Sequence, residues 1–220
     1  MTTSTDDDTT RTSSADIAYT EVRARLRRGE LGQDDRLVDK VLAAELNMSR
    51  MPAREALIRL VHEGYLVGST RGFRLPDLTR ADILEIFEIR LALEPRAAAA
   101  ATQALTEADL VRLSEALERS RRATLEACVP EIMIANADFR DIWVGVVPNG
   151  RLVSVISRYY DHVNTVRVLT MHDFETQHVA LKLMEAISDG FARKDSFHVF
   201  ETMQTFIKTG RDRYLALNSA

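Results

Sequence analysis

A single cysteine, Cys128, excludes an intrachain disulfide and any zinc site built from several cysteines. A reduced, cytoplasmic setting is therefore expected. No apolar run approaches the ~20 residues that a membrane helix needs, so no membrane partner is expected either. The opening stretch MTTSTDDDTTRTSS has neither a basic region nor an apolar segment, and it does not read as a secretory signal. It also buries too little to offset the entropy of ordering. Residues 1–14 are expected to be a disordered tail, with the Asp6-Asp7-Asp8 run solvated rather than metal-binding. Signatures of catalysis are missing as well. There is no nucleophile elbow and no phosphate loop, and the five histidines are scattered. An enzyme is not expected.

Excess positive charge is scarce. The net charge is −4 over the whole chain. From Asp16 to Pro76, however, 11 Lys and Arg face 9 Asp and Glu, and from Asp77 onward 17 face 21. The basic balance is local and small, so any affinity for phosphate must come from placement rather than bulk charge. Hydrophobic residues make up 45% of the chain, enough for a core in one large or two small domains.

The patterning divides the chain near Pro76-Asp77-Leu78. Before it, Ile17, Val22 and Leu26 mark one face of a helix from about Ala15 that stops at Gly29 to Gly32. A second helix is expected over Asp39 to Leu46. Ser49 is placed to cap a third, in which Pro52 falls in the first turn, where its missing N–H is harmless. Ala53, Ala56, Leu57, Leu60 and Val61 form that helix's core face, and Gly64 suits its C′ position. Two short extended pieces, Tyr65-Leu66-Val67 and Phe73-Arg74-Leu75, flank a Gly68 to Gly72 turn. Helix, helix, helix, hairpin is the order of a winged helix-turn-helix, expected here over 15–76.

Everything after the linker reads as helix. Thr79 with Asp82 and Thr106 with Asp109 have capping-box spacing. The first opens a long helix ending in the Ala97–Ala101 run. Further helices are expected over about 107–126, 130–146, 151–169, 174–190 and 195–216, with breaks at Pro148-Asn149-Gly150 and Ser188-Asp189-Gly190. Residues 79–217 are thus expected to form an all-α antiparallel bundle. The fold class is mainly α.

Arg50 and Arg54 lie one turn apart at the start of the third helix, beside its apolar stripe. That is where a recognition helix presents side chains to the major groove, and arginine can read guanine O6 and N7 with two hydrogen bonds. Lys40 and Arg59 are placed to contact phosphate or the flanks. At the wing tip, Arg71 and Gly72 could approach the minor groove, since glycine permits close backbone approach. The segment Ser49-Arg50-Met51-Pro52-Ala53-Arg54-Glu55-Ala56-Leu57, followed by Glu63-Gly64, resembles the GntR family of bacterial regulators, matching nine motif positions in one register. Met51 departs from the small or polar residue common there. The resemblance implies double-stranded DNA as a partner, homodimerisation, an inverted-repeat operator and a repressor's role.

The remainder resembles the FadR-type branch, whose C-terminal domain is called FCD. Its landmarks are Arg90 with Leu93-Glu94, Asn136 to Arg140, Asn149 to Leu152, and Gln177-His178. The resemblance implies an effector cavity, which in many members holds a divalent metal on an Asp or Asn and three His. Carried over, those positions are Asn136, Arg140, His178 and Phe206. A guanidinium has no lone pair for a metal, and phenylalanine cannot ligate. No metal or other cofactor is therefore expected. The expected effector is a small carboxylate anchored by Arg140 and Arg90, with Asn136 and His178 as hydrogen-bonding partners. Two alternatives stay open: a metal-dependent regulator using His178 with substitute ligands such as His198, or a DNA-binding dimer without an effector.

Overall fold

The computed structural model describes residues 13–32 and 34–217; the expectation for the tail falls almost wholly outside them. Ten helices and one two-stranded sheet occur among the described residues. The chain forms two compact units. The first runs to Ala24 and resumes up to Pro76; the second takes Arg25–Gly32 and everything from Asp77.

The first unit holds most of α1 (Ser14–Arg28), then α2 (Asp39–Glu45), α3 (Arg50–His62), β1 (Val67–Ser69) and β2 (Gly72–Arg74). Ala18, Val22, Leu42, Ala56, Leu57 and Leu60 bury its core. Ile17, expected inside, is about half exposed. The first strand begins later than expected. Gly64 takes a φ of 81° after α3, and the N–H groups of Tyr65 and Leu66 both donate to the Leu60 carbonyl, at 2.9 and 3.3 Å. Those two residues close the helix and cannot also pair in the sheet. Val67 pairs with Arg74 and Ser69 with Gly72, leaving a two-residue tip of Thr70-Arg71. Leu37 adds one bridge beside Phe73, with bonds of 2.8 Å in both directions.

The second unit is the bundle of α4 (Arg80–Ala104), α5 (Glu107–Leu125), α6 (Val129–Gly145), α7 (Gly150–His162), α8 (Asn164–Met171), α9 (Phe174–Ala192) and α10 (Ser196–Leu217). Both capping boxes form: Thr79 and Asp82 open α4, and Thr106 and Asp109 open α5, each satisfying two orphan donors. α10 packs along α4 and α9, and α5 packs on α6 and α9. Ile86, Phe87, Trp143, Ile156, Phe191 and Ile207 belong to the common core.

Two breaks differ from expectation. The helix expected over 151–169 is interrupted at the fully buried Val163, which ends α7 and begins α8. Ser188-Asp189-Gly190, expected to end a helix, lies inside α9, which stops only at Ala192 ahead of Lys194 with a φ of 56°. Gly190 is there for space. A Cβ on it would sit 2.7 Å from Val199 Cγ2, so the glycine permits close approach of α10.

Candidate DNA-reading face and effector cavity

In the first unit, α2 and α3 are joined by a turn in which Asn47 takes a φ of 50°, a conformation asparagine tolerates. Ser49 occupies the N-cap position of α3 with extended backbone, but its side chain makes no capping bond. Ala53, Ala56, Leu57 and Leu60 turn inward, which leaves Arg50, Met51 and Arg54 on the exposed side. Asp39, at the start of α2, is buried beneath them. Its carboxylate accepts from Arg50 Nη2 at 3.0 and 3.2 Å and lies 3.6 Å from Arg54 Nη1. Burial alone would raise the Asp39 pKa, but the hydrogen bond and charge of Arg50, aided by Arg54, outweigh it and hold the carboxyl below its ordinary range. One anion therefore presents two guanidiniums side by side on the face that can enter a groove.

The other expected DNA contacts divide. Lys40 and Arg71 are exposed. Arg59 is turned toward α1: it pairs with Asp16 at 3.1 Å and Glu63 at 3.2 Å, and its Cζ stands 4.0 Å from the Tyr19 ring centre. Such an arginine ties two helices together in the absence of DNA. Gly72 has a φ of 118°, and a Cβ there would lie 2.6 Å from the Leu37 carbonyl oxygen, so the glycine lets the wing close on its bridge to Leu37.

In the second unit, a cavity of about 90 Å³ opens between helices α4, α6, α7, α8, α9 and α10. Arg90, Asn136 and Arg140 line it, as do Phe206 and two residues the sequence reading missed, Tyr160 and Arg167. His178 does not. Its Nδ1 lies 3.0 Å from the Phe174 carbonyl and its ring rests on Phe174, away from the lining residues.

The three arginines are not equivalent. Arg90 is paired within the core: its Nε donates to Glu94 at 2.6 Å and its Nη2 at 3.4 Å. Arg140 donates from Nη2 to the Ile156 carbonyl at 3.2 Å, while its buried Nε has no partner. Arg140 pairs with neither Asp138 nor Glu94, because Asp138 pairs with Arg119 and Glu94 with Arg90. Both terminal nitrogens of Arg167 are closed from solvent and accepted by nothing. Burial, above all, holds the Arg167 pKa below its ordinary value. Tyr160 counters this, Arg90 adds to it, and Asp161 and Arg140 follow with opposite signs. Guanidinium stays charged even so. The buried Tyr160 ring collects all three, with its centre 3.8 Å from Arg140 Cζ, 4.3 Å from Arg167 and 5.6 Å from Arg90.

Such a donor set does not suit a metal. Asn136 Oδ1 already accepts from the Ser120 hydroxyl at 2.7 Å, and a cationic guanidinium stands at the next expected ligand position. Among the described residues, no group of three or more His, Cys, Asp or Glu could hold a metal ion. His198, the candidate substitute, is not a lining residue. Two of its lining residues, Arg140 and Arg167, carry positive charge and buried N–H groups without acceptors.

Comparison with known proteins bears directly on both units. Residues 15–72 match the model of the bacterial regulatory proteins of the gntR family, and residues 85–209 match the FCD domain. The chain belongs to the GntR family and carries an FCD domain. Its sequence is 37% identical over 121 residues to the HTH-type transcriptional regulator McbR of Escherichia coli, a match covering 54% of this chain and 55% of McbR. Another match, 28% over 153 residues, is to the uncharacterized regulator YdhC of Bacillus subtilis and covers 69% of this chain and 68% of that one. The solved structure of E. coli McbR/YncC superposes with a TM-score of 0.84 at 24% identity, over 94% of this chain and all of that one. The fold is therefore a GntR winged helix-turn-helix followed by an FCD bundle, and the protein is a transcriptional regulator. No helix among the described residues is long and apolar enough to cross a membrane.

Tyr160 and Arg167 escaped the sequence reading because their relation depends on the break at Val163. In one continuous helix, residues seven apart share a face but stand two turns, about 10 Å, apart. The break makes them neighbours around a common space. A usable signal was present, an arginine alone among Val163, Val166, Val168 and Leu169.

Proposed function

We propose that this chain is a dimeric repressor that binds an inverted-repeat operator through α3 and changes its DNA affinity when a small organic anion enters the bundle cavity. The observation that carries the DNA half is the pair Arg50 and Arg54, both exposed and both held by Asp39. Two arginines one turn apart at a helix N-terminus match the spacing of adjacent base pairs, and each can make a bidentate contact to guanine. One such helix reads too few base pairs for useful specificity, which is the argument for a two-fold dimer and a symmetric operator. The bundle supplies the dimer contact, and residues 15–76 and 79–217 act as the DNA-binding and effector-binding parts.

The effector half is supported by the cavity chemistry. Arg140 and Arg167 keep buried donors without acceptors, an arrangement that a negatively charged ligand relieves. Selection of operators from a random duplex pool should return an inverted repeat. Sedimentation at micromolar concentration should give a dimer. Arg50→Ala should cost about 1–3 kcal/mol at the selected operator and relax specificity at one position of each half-site. An Arg50→Ala, Arg54→Ala double variant that keeps full operator affinity, or a protein that is monomeric with and without DNA, would contradict the reading.

A further inference from the structure

We propose that the occupant of the bundle cavity is a small dicarboxylate held at two points, with Arg167 binding one carboxylate and Arg140 the other. This rests on reading the cavity as the effector site and adds the charge and valency of the ligand.

Charge comes first. Of the three guanidiniums, Arg90 is already matched to Glu94. None of the lining residues is Asp or Glu. Asp161 acts on Arg167 through its field, yet accepts no hydrogen bond from either terminal nitrogen. Two lining cations are left without a hydrogen-bonded carboxylate, both beside the same tyrosine ring.

The donor inventory separates two points of attachment. The terminal nitrogens of Arg167 form a fork that a carboxylate can fill with parallel bonds. The Nε of Arg140 is a separate buried donor. A monocarboxylate seated on Arg167 leaves Arg140 Nε without an acceptor, and one seated on Arg140 leaves the fork empty. A ligand with an anionic end for the fork and a second acceptor for the Arg140 Nε satisfies both. A second carboxylate does so while also matching the second charge, and leaving a buried charged donor unmade is the expensive alternative.

Size closes the argument. The guanidinium carbons of Arg140 and Arg167 stand 3.8 and 4.3 Å from one ring centre, so they are no farther apart than those two distances laid end to end. A short carbon chain spans that gap. A cavity of about 90 Å³ has room for a chain of that size and excludes long acyl or nucleotide ligands. Phe87, Met133, Phe206 and Ile207 give the middle of such a chain an apolar wall.

The test uses the full-length protein with malonate, succinate and glutarate against acetate, propionate and inorganic phosphate, read by thermal shift and calorimetry. One dicarboxylate should bind about tenfold or more tighter than propionate, the factor that a second charge-assisted contact supplies. Arg167→Gln removes an unpaired buried cation. It should raise the melting temperature of the ligand-free protein and erase the preference for two carboxylates. Arg167→Lys keeps the charge without the fork; it should show no such rise and lose most of the preference. Equal binding of propionate and the dicarboxylates, or tighter binding of phosphate, overturns the two-point proposal while leaving an anion site intact. A preference that persists in Arg167→Gln overturns the role of Arg167. If none of the six anions binds the wild-type protein, both this proposal and the anionic-effector reading fail.

Discussion

Arg50 on α3 rests its guanidinium on the buried carboxylate of Asp39 on α2, at 3.0 and 3.2 Å, across eleven residues of sequence. An exposed arginine ordinarily loses rotamer entropy when it docks on a base, and part of that loss is here taken on folding. Asp39 also places a negative charge behind the reading face, where it opposes indiscriminate phosphate binding. Asp39→Asn should therefore act in two directions. Affinity for random duplex should rise, and the ratio of operator to random affinity should fall about tenfold as the arginines lose their common anchor. Fluorescence anisotropy on both duplexes over a salt series measures this. A ratio unchanged by the substitution would remove Asp39 from DNA reading.

Lys40 and Arg59 separate in the same experiment. Lys40 is exposed at the start of α2, and its replacement by Ala should weaken all sequences evenly and reduce the salt slope by about 1. Arg59 is engaged by Asp16, Glu63 and Tyr19. Arg59→Ala should leave the slope unchanged and lower stability by about 1 kcal/mol or less, as exposed pairs do. A salt slope that falls with Arg59→Ala would place that residue at the DNA interface.

The features legible in the sequence are those set by local spacing. Thr79 and Asp82 are three residues apart, and a capping box needs nothing else. The inward stripe of α3 follows from the helical repeat alone, and it left Arg50 and Arg54 beside it on the exposed side. What escaped depends on distant partners. Asp39 reads locally as a good first-turn residue, and only the packing of α2 on α3 makes it an arginine anchor. His178 looked like a cavity residue because its position matched a ligand pattern. The structure instead turns its ring onto Phe174, a neighbour on the same helix. Gly190 reads as a helix breaker until Val199 is seen against it.

The buried pair Arg90 and Glu94 invites a direct test of what holds α4 in the core. Removing one charge strands the other in a medium that cannot solvate it. Glu94→Gln should destabilise the protein by about 3–5 kcal/mol. An Arg90→Met, Glu94→Leu double variant should recover most of that loss, because a packed apolar pair has no charge to desolvate. Urea denaturation of the three proteins decides it. A double variant no more stable than Glu94→Gln would mean that Arg90 is held by more than its ion pair.

Gly190→Ala sets helix propensity against space. Alanine gains about 1 kcal/mol in an unhindered helix interior. Here its methyl would meet Val199 Cγ2 at 2.7 Å and His198 Cδ2 at 3.0 Å, and Val199 is fully buried with nowhere to retreat. Overpacking of this kind costs about 1–3 kcal/mol, so the clash should win and the variant should be less stable by about 1–2 kcal/mol. A rise in melting temperature would show that α9 and α10 can separate without loss.

His162 gives the bundle an acid limit. Burial, reinforced by the charge of Arg158 and only partly offset by Asp161, lowers its pKa from 6.5 to about 4. The folded state therefore keeps a neutral imidazole in a range where the unfolded chain protonates it. Between those two values the unfolded state binds more protons, so stability rises with pH there. The contribution is complete above about pH 6.5 and is lost progressively as the pH falls to about 4. Allowing for the part of the ring that solvent screens, the loss should be about 1–2 kcal/mol. His162→Gln should remove that slope, so between about pH 7.5 and about pH 4.5 the wild type should lose about 1–2 kcal/mol more stability than the variant. Parallel pH profiles for the two proteins would mean that His162 titrates normally and that another group sets the acid limit.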